Sequence, residues 1–478
     1  MTKNPSFVIE GLAGARTLKG TIHINGAKNA ALKAMAAAIL FDGPVTLENM
    51  PDTADIQTLT EILEKLGAKV TVKSVVIPAH VTSSKVTGIQ GHTTHVNKTC
   101  GQILMIDPTN ITSTDIDQTL AGGMRASVVL TGPLLTRYGK VSFPAPGGCV
   151  IGARPIDLFL SAYETLGATV TEDECLYHIS SPQGGLKATT IEFKKISVGA
   201  TETLMMAAIL ADGKTILTNC AREPEIVNVA EWLNECGANI VGAGTSTIEI
   251  SGTKGKLLTP KKSFITIPDR IEAGSFLILA SLCGEDITIE NCRPDHMSVV
   301  IDLLKKSGVN ISVESPFVKG GAPEGWGIST SIRVTNDSST PRTFTSFDIT
   351  TKEYPGFATD VQAPAVVFLT QAEGTSKVTE TIFEGRFKYI EDLIVLGADI
   401  TSVSPHEISI TGPKSLSQQS PERDLTAHDI RAGFAVVLAA LIAQGKSVVN
   451  NVQLIDRGYE KLEERLSALG AKVVRVTK

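Results

Sequence analysis

The sequence lacks the short signatures that would assign it at once to a common ligand-binding class. It has no Walker A run, no cysteines or histidines at zinc spacing and no well-placed GxGxxG, so the usual phosphate, metal and dinucleotide motifs are missing and neither a metal nor a cofactor is expected. Paired cysteines are absent too. The seven that occur, Cys100, Cys149, Cys175, Cys220, Cys236, Cys283 and Cys292, are scattered and odd in number, which excludes a disulfide framework and predicts a reducing, cytoplasmic setting. Long apolar runs are also missing. The longest, around Phe434 to Ala443, is too short to span a bilayer, and the opening MTKNPSFVIEG has no basic stretch ahead of an apolar one, so no targeting segment and no membrane partner are expected. Nor is there an excess of positive charge. With 44 Lys and Arg against 50 Asp and Glu the net charge is −6, which argues against nucleic acid as a partner and requires any anionic ligand to be met by a local cluster of cations.

What the chain does have is repetition. A phrase that closes a helix and opens a strand recurs six times: LGAKV from Leu66, LGATV from Leu166, CGANI from Cys236, SGVNI from Ser307, LGADI from Leu396 and LGAKV from Leu469. Each places a Gly where a helix ends in the left-handed conformation and follows it with β-favouring residues. Upstream of most copies runs an alanine-rich, nearly all-apolar helix, then a polar Gly turn and an alternating strand, as in AALKAMAAAILFDGPVTLENM from Ala30 and AGFAVVLAALIAQGKSVVNNV from Ala432. Helices apolar all round are buried, so they should line the core with the strands outside. The unit is a two-helix α/β repeat of about seventy residues, since the junction glycines are 100, 70, 71, 89 and 73 residues apart. The two long steps carry insertions, within about 71–123 and 315–345, which read as surface hairpins or loops. Six units could stack as one solenoid or close into two groups of three, and periodicity leaves both open.

Four segments break the repeat. In NGAKNAAL (Asn25 to Leu32) a strand runs through a Gly turn into a helix, which puts Lys28 and Asn29 at a helix N-terminus suited to an anion; the alternative is a solvated lysine. From Met124 to Leu158, PAPGGC reads as an exposed loop, and Cys149, five residues before Arg154, is either a thiol activated by a cation or an inert one. In YPGFATD, Asp360 precedes an apolar helix and could simply cap it. Arg222, Arg270, Arg386 and Arg431 each stand near an acid in sequence (Glu223, Asp269, Glu384, Asp429), so structural ion pairs compete with anion binding.

At these segments the chain resembles the UDP-N-acetylglucosamine enolpyruvyl transferase family, also called UDP-N-acetylglucosamine 1-carboxyvinyltransferases. The resemblance runs from GLAGARTLKG to IDRGYEKLEERLSALGAK and rests on GAKNAAL, MRAS, PGGCxIGARPxDL, SVGAT, AREPEIV, PDRIE, GFxTD, FExRF, DxRA and IDRGYE in that order. It implies an α/β fold, an inside-out two-domain barrel of six βαβαββ-type units with three-fold pseudo-symmetry in each domain. The domains would be 28–267 and 1–27 plus 268–478, with the active site in the cleft between them. The implied reaction transfers enolpyruvyl from phosphoenolpyruvate to the 3'-hydroxyl of UDP-N-acetylglucosamine, the first committed step of peptidoglycan precursor synthesis.

Residue by residue, the resemblance gives Lys28 and Asn29 to the substrate-contacting turn. Arg125, Arg154 and Arg431 are implied for phosphate and carboxylate, and Arg154, Pro155, Ile156, Asp157 and Leu158 for the uracil. Lys195, Ile196, Ser197, Val198 and Gly199 match the diphosphate loop, Asp360 and Ile382 the sugar-nucleotide, and Arg386 a cleft arginine. Cys149 matches the proton donor, with Asp360 as base and Lys28 as the third catalytic group. Asn25, Lys33, Val129 and Ala358 depart from the family's usual residues.

Overall fold

The computed structural model describes residues 4–77, 99–145, 156–173, 176–314, 330–336, 343–418 and 423–477. All six junction glycines, Gly67, Gly167, Gly237, Gly308, Gly397 and Gly470, take positive φ between 89° and 110°. At Gly67 a side chain would fail twice over: φ is 108°, and a Cβ would lie 2.5 Å from the Asn110 carbonyl oxygen. The repeat phrase is thus a set of six helix stops.

The alanine-rich segments form buried helices. Lys28–Ala37, Thr131–Tyr138, Val198–Ala208, Arg270–Cys283, Thr359–Leu369 and Ile430–Ile442 alternate along the chain with half-buried helices that present one apolar stripe. Every residue from Arg431 to Ile442 is buried, whereas Ala54–Leu66 buries Ile56, Leu59, Ile62, Leu63 and Leu66 at helical spacing. Small residues let the inner helices approach closely: a Cβ on Gly132 would meet the Thr203 carbonyl oxygen at 2.4 Å.

The described strands form six sheets around these helices, one for each unit. The first strand, Pro5–Glu10, sits in the sheet of the last unit, between Lys446–Asn450 and Lys472–Thr477, with Phe7 opposite both Val449 and Arg475. Leu18–His23 pairs in parallel with Gly284–Cys292 of the fourth unit. Almost wholly within the range of the first insertion, Lys69–Ile77 and Thr99–Asp107 pair antiparallel over nine residues; at the second, Ile311–Glu314 pairs with Thr330–Thr335, which falls inside the inserted range. No helix among the described residues is long and apolar enough to cross a membrane.

Buried apolar side chains fall into two cores. One gathers residues from Ala27 to Phe264, the other Phe7 to Ile24 together with Ile271 to Val473. The chain passes between them twice, side by side: Ala27 N–H donates to the Ile267 carbonyl at 2.7 Å and Asp269 N–H to the Asn25 carbonyl at 2.9 Å. This double crossing places the start of the Lys28 helix beside the start of the Arg270 helix.

Candidate active site

The Lys28 and Arg270 helices begin where the two cores meet, and charged residues of both cores pair there. Lys28 opens its helix and is 6% exposed, so it is not a solvated lysine. Its Nζ donates to Asp55 Oδ2 at 2.8 Å, and Arg457 Nε, from the other core, donates to Asp55 Oδ1 at 2.9 Å. Burial pushes the Lys28 ammonium below its ordinary pKa while Asp55 partly holds it up. Burial alone would raise the Asp55 carboxyl, but Lys28 and Arg457 outweigh it and bring it below the usual value. Asn29 follows, half-buried.

Asp360 is the second residue of its helix and not its cap; the cap position is Ala358, which has no side-chain acceptor to offer. Instead, Asp360 Oδ1 accepts from Arg386 at 2.6 Å, and its Oδ2 lies 3.9 Å from Arg431. Arg386 also lies 3.7 Å from Asp429. Both guanidiniums are buried, while the Asp360 side chain keeps 32% exposure. Arg386 Nε and Arg431 Nη1 are buried and donate to no described acceptor. A buried, hydrogen-bond-deficient guanidinium is costly unless a further acceptor completes it, and an anion could supply one here.

The neighbouring acids do other work than the sequence suggests. Asp269 and Asp429 cap their helices, accepting from Ile271 and Glu272, and from Arg431 and Ala432. Asp269 also faces the Lys28 amide at 3.4 Å. Arg270 pairs with Glu225 of the first core at 3.1 Å, and Arg222 is exposed. Ile382 is fixed by Glu380, a fully buried acid whose Oε1 accepts from the Ile382 and Phe383 amides and from Thr351, while Oε2 accepts from Thr359 at 2.8 Å. One carboxylate therefore ties the Ile382 turn to the Asp360 helix.

A second strip lies on the first core. Ile156, buried, precedes the Asp157–Thr165 helix; Asp157 is exposed and Leu158 packs on the core. Ser197 caps the Val198–Ala208 helix through the Ala200 amide at 3.2 Å. Lys195 is exposed, and Ile196, Val198 and Gly199 are half-buried. A Cβ on Gly199 would come within 3.2 Å of the Phe159 ring, so the two strips abut. Arg125 opens the 3-10 turn Arg125–Leu130, which packs against the Lys28 helix. Cys149, Arg154 and Pro155 lie outside the described residues.

Asp55, Arg457 and Glu380 escape the sequence reading. Arg457 stands inside IDRGYE, where a signal was available; Asp55 and Glu380 carry none beyond their type.

The EPSP synthase family (3-phosphoshikimate 1-carboxyvinyltransferase) matches over residues 12–102 and 91–466. Proteins named UDP-N-acetylglucosamine 1-carboxyvinyltransferase are similar over almost the whole chain. Those of Koribacter versatilis and Acidobacterium capsulatum are 39% and 40% identical over 470 residues, covering 98% of this chain and 96% of theirs, and that of Bdellovibrio bacteriovorus is 39% identical over 97% and 99%. In fold, the chain is similar to the enolpyruvyl transferase NikO from Streptomyces tendae, with a TM-score of 0.79 at 23% identity over all of both chains. An EPSP synthase from Acinetobacter baumannii gives 0.69 at 16% identity, over 99% of this chain and 100% of the other. The chain belongs to the EPSP synthase family and, within it, to the UDP-N-acetylglucosamine 1-carboxyvinyltransferases.

Proposed function

We propose that this chain transfers the enolpyruvyl group of phosphoenolpyruvate to the 3'-hydroxyl of UDP-N-acetylglucosamine and releases phosphate, supplying the cytoplasmic synthesis of peptidoglycan precursors. The reaction takes place in the cleft between a domain of residues 28–267 and one formed by 1–27 plus 268–478. The observation that carries this reading is a pair of cation clusters in a net-acidic protein, Lys28 and Arg457 on Asp55 and the buried Arg386 and Arg431 on the partly exposed Asp360. Phosphoenolpyruvate carries a phosphate and a carboxylate close together, and guanidiniums bind both groups with two parallel hydrogen bonds.

In the mechanism, Cys149 protonates the methylene carbon of phosphoenolpyruvate, which gives C2 cationic character. The sugar 3'-oxygen attacks C2 while Asp360 takes its proton. A tetrahedral phospho-ketal results. Loss of a methyl proton and cleavage of the C2–O bond to phosphate then restore the carbon–carbon double bond, and Lys28 with the arginines stabilises the departing charge. The strips Ile156–Leu158 and Lys195–Gly199, with Arg154 and Pro155, hold the uracil and diphosphate; Asn29 contacts substrate beside Lys28; Ile382, with Asp360, meets the sugar-nucleotide; Arg125 holds phosphate and carboxylate.

Two rivals are separated by one assay. The purified chain is given phosphoenolpyruvate with either UDP-N-acetylglucosamine or shikimate 3-phosphate, and phosphate release is followed. Turnover with the first acceptor is expected. Turnover with shikimate 3-phosphate alone would make it the sister enzyme, and turnover with neither would make it a UDP-sugar-binding scaffold.

A further inference from the structure

Asp392 and His428 take no part in the chemistry above, yet they join the two segments that carry the cleft arginines. Asp392 lies in the short helix Ile390–Val395, six residues after Arg386, and its side chain is 4% exposed. Its Oδ1 accepts from the Thr426 amide at 3.0 Å, and its Oδ2 meets His428 Nε2 at 2.7 Å. One buried carboxylate thus pins both ends of the turn from Thr426 to His428. The next residue, Asp429, caps the helix that carries Arg431 and faces Arg386 at 3.7 Å. Arg386 and Arg431 in turn flank the same Asp360 carboxylate.

Resting on the function proposed above, we propose that the Asp392–His428 clasp is a positioning device that sets the spacing of Arg386 and Arg431 around the anion seat and holds it more tightly when the imidazole is protonated. The physical reason is that a hydrogen bond between two ionised groups is about twice as strong as one with a neutral donor. His428 is 30% exposed on its side chain, so protons reach it from solvent. The charged groups around it favour the cation: Asp392 and Glu391 from the short helix and Asp429 from its own turn, with Arg423 engaged by Glu391 at 3.8 Å. The hydrogen bond to Asp392 raises the imidazole above its ordinary 6.5 despite burial. The charge-held clasp is therefore present below that ordinary value and is lost as pH rises through the raised one.

The test has two arms. In His428→Gln, an amide replaces the ring nitrogen but carries no charge. Its kcat/KM for phosphoenolpyruvate should fall about threefold to tenfold at pH 6, mainly through KM, and return to the wild-type value at a pH above the imidazole's own titration, which the second arm locates. An equal deficit at both pH values, or none, overturns the inference. The second arm needs no variant. His428 is titrated by NMR in the wild-type chain with and without saturating phosphoenolpyruvate, given alone so that no transfer can occur. By reciprocity of linkage its titration must move to higher pH when the anion binds, by the same factor by which protonation tightens binding. An unmoved titration overturns the inference. Because this arm reads binding and not turnover, it decides the point even if no enolpyruvyl group is transferred.

Discussion

Arg457 and Asp55 are 402 residues apart in sequence and 2.9 Å apart in space. Arg457 belongs to the second core and Asp55 to the first, and the carboxylate they share also holds Lys28. The early lysine turn is therefore set in place by the last unit of the chain.

This makes Asp55 the first target. Asp55→Ala strands a buried ammonium and a guanidinium, and breaking a buried pair from one side costs about 3 to 5 kcal/mol. Urea unfolding should show a loss of that order, and kcat/KM for phosphoenolpyruvate should drop about a hundredfold as Lys28 loses its orientation. An alanine variant of unchanged stability and activity would show that the contact positions nothing.

Asp360 should separate chemistry from binding. Arg386 retains Asp429 when Asp360 is truncated, so the corner stays paired. Asp360→Ala is expected to leave UDP-N-acetylglucosamine affinity, measured by calorimetry, within a few-fold while turnover falls by about two to four powers of ten, as for a lost general base. Parallel losses in both would assign Asp360 to binding.

Much of this architecture was written in local residue patterns, and the site only in part. The six glycines announce their helix stops because the left-handed conformation is a property of one residue and its neighbours. The buried helices are legible for the same reason: alanine-rich segments with no polar face have nowhere else to go. Charge pairing is not local. Asp269 and Asp429 stand beside arginines in sequence but use one carboxylate oxygen each to cap their helices, and Arg270 and Arg386 find acids 45 and 26 residues away. Asp360 looks like a cap by position, yet the cap position falls on Ala358, which has no side-chain acceptor, and the Asp360 carboxylate turns to Arg386. Lys33, a departure from the family, is answered by Glu202 at 3.1 Å inside the first core, a pairing visible only once the helices are packed.

Glu460 predicts a pH dependence of stability. It accepts from the Asp52 amide across the two cores at 3.0 Å, and burial pushes its carboxyl up from 4.5 to about 7. The folded chain then binds more protons than the unfolded one between those values, so this group's contribution falls as pH rises from about 4.5 through about 7. Glu460→Gln keeps an acceptor without the charge and should be more stable than wild type by about 1 to 3 kcal/mol at pH 8, with little difference at pH 5. Comparing variant with wild type at each pH removes the opposing effect of His23, which burial lowers to about 4. Parallel denaturation curves at both pH values would contradict it.

Cysteine reactivity should be selective. Cys220, Cys236, Cys283 and Cys292 are buried, and burial pushes the thiols of Cys220 up to about 11 and of Cys283 and Cys292 up to about 12, which leaves almost no thiolate at neutral pH. With UDP-N-acetylglucosamine present, the epoxide fosfomycin is expected to add one adduct, mapped by peptide mass spectrometry to Cys149. No adduct after long incubation, or one on a core cysteine, would remove Cys149 from its role as proton donor.

A crystal structure with UDP-N-acetylglucosamine bound tests the central claim most directly, because everything depends on distant segments meeting around one molecule. The nucleotide should lie along Ile156–Leu158 and Lys195–Gly199, with its sugar 3'-hydroxyl within hydrogen-bond reach of Asp360 and the Cys149 loop and Lys28 facing the same gap. Nucleotide density on another surface, or an Asp360 pointing away from the 3'-hydroxyl, would contradict the account.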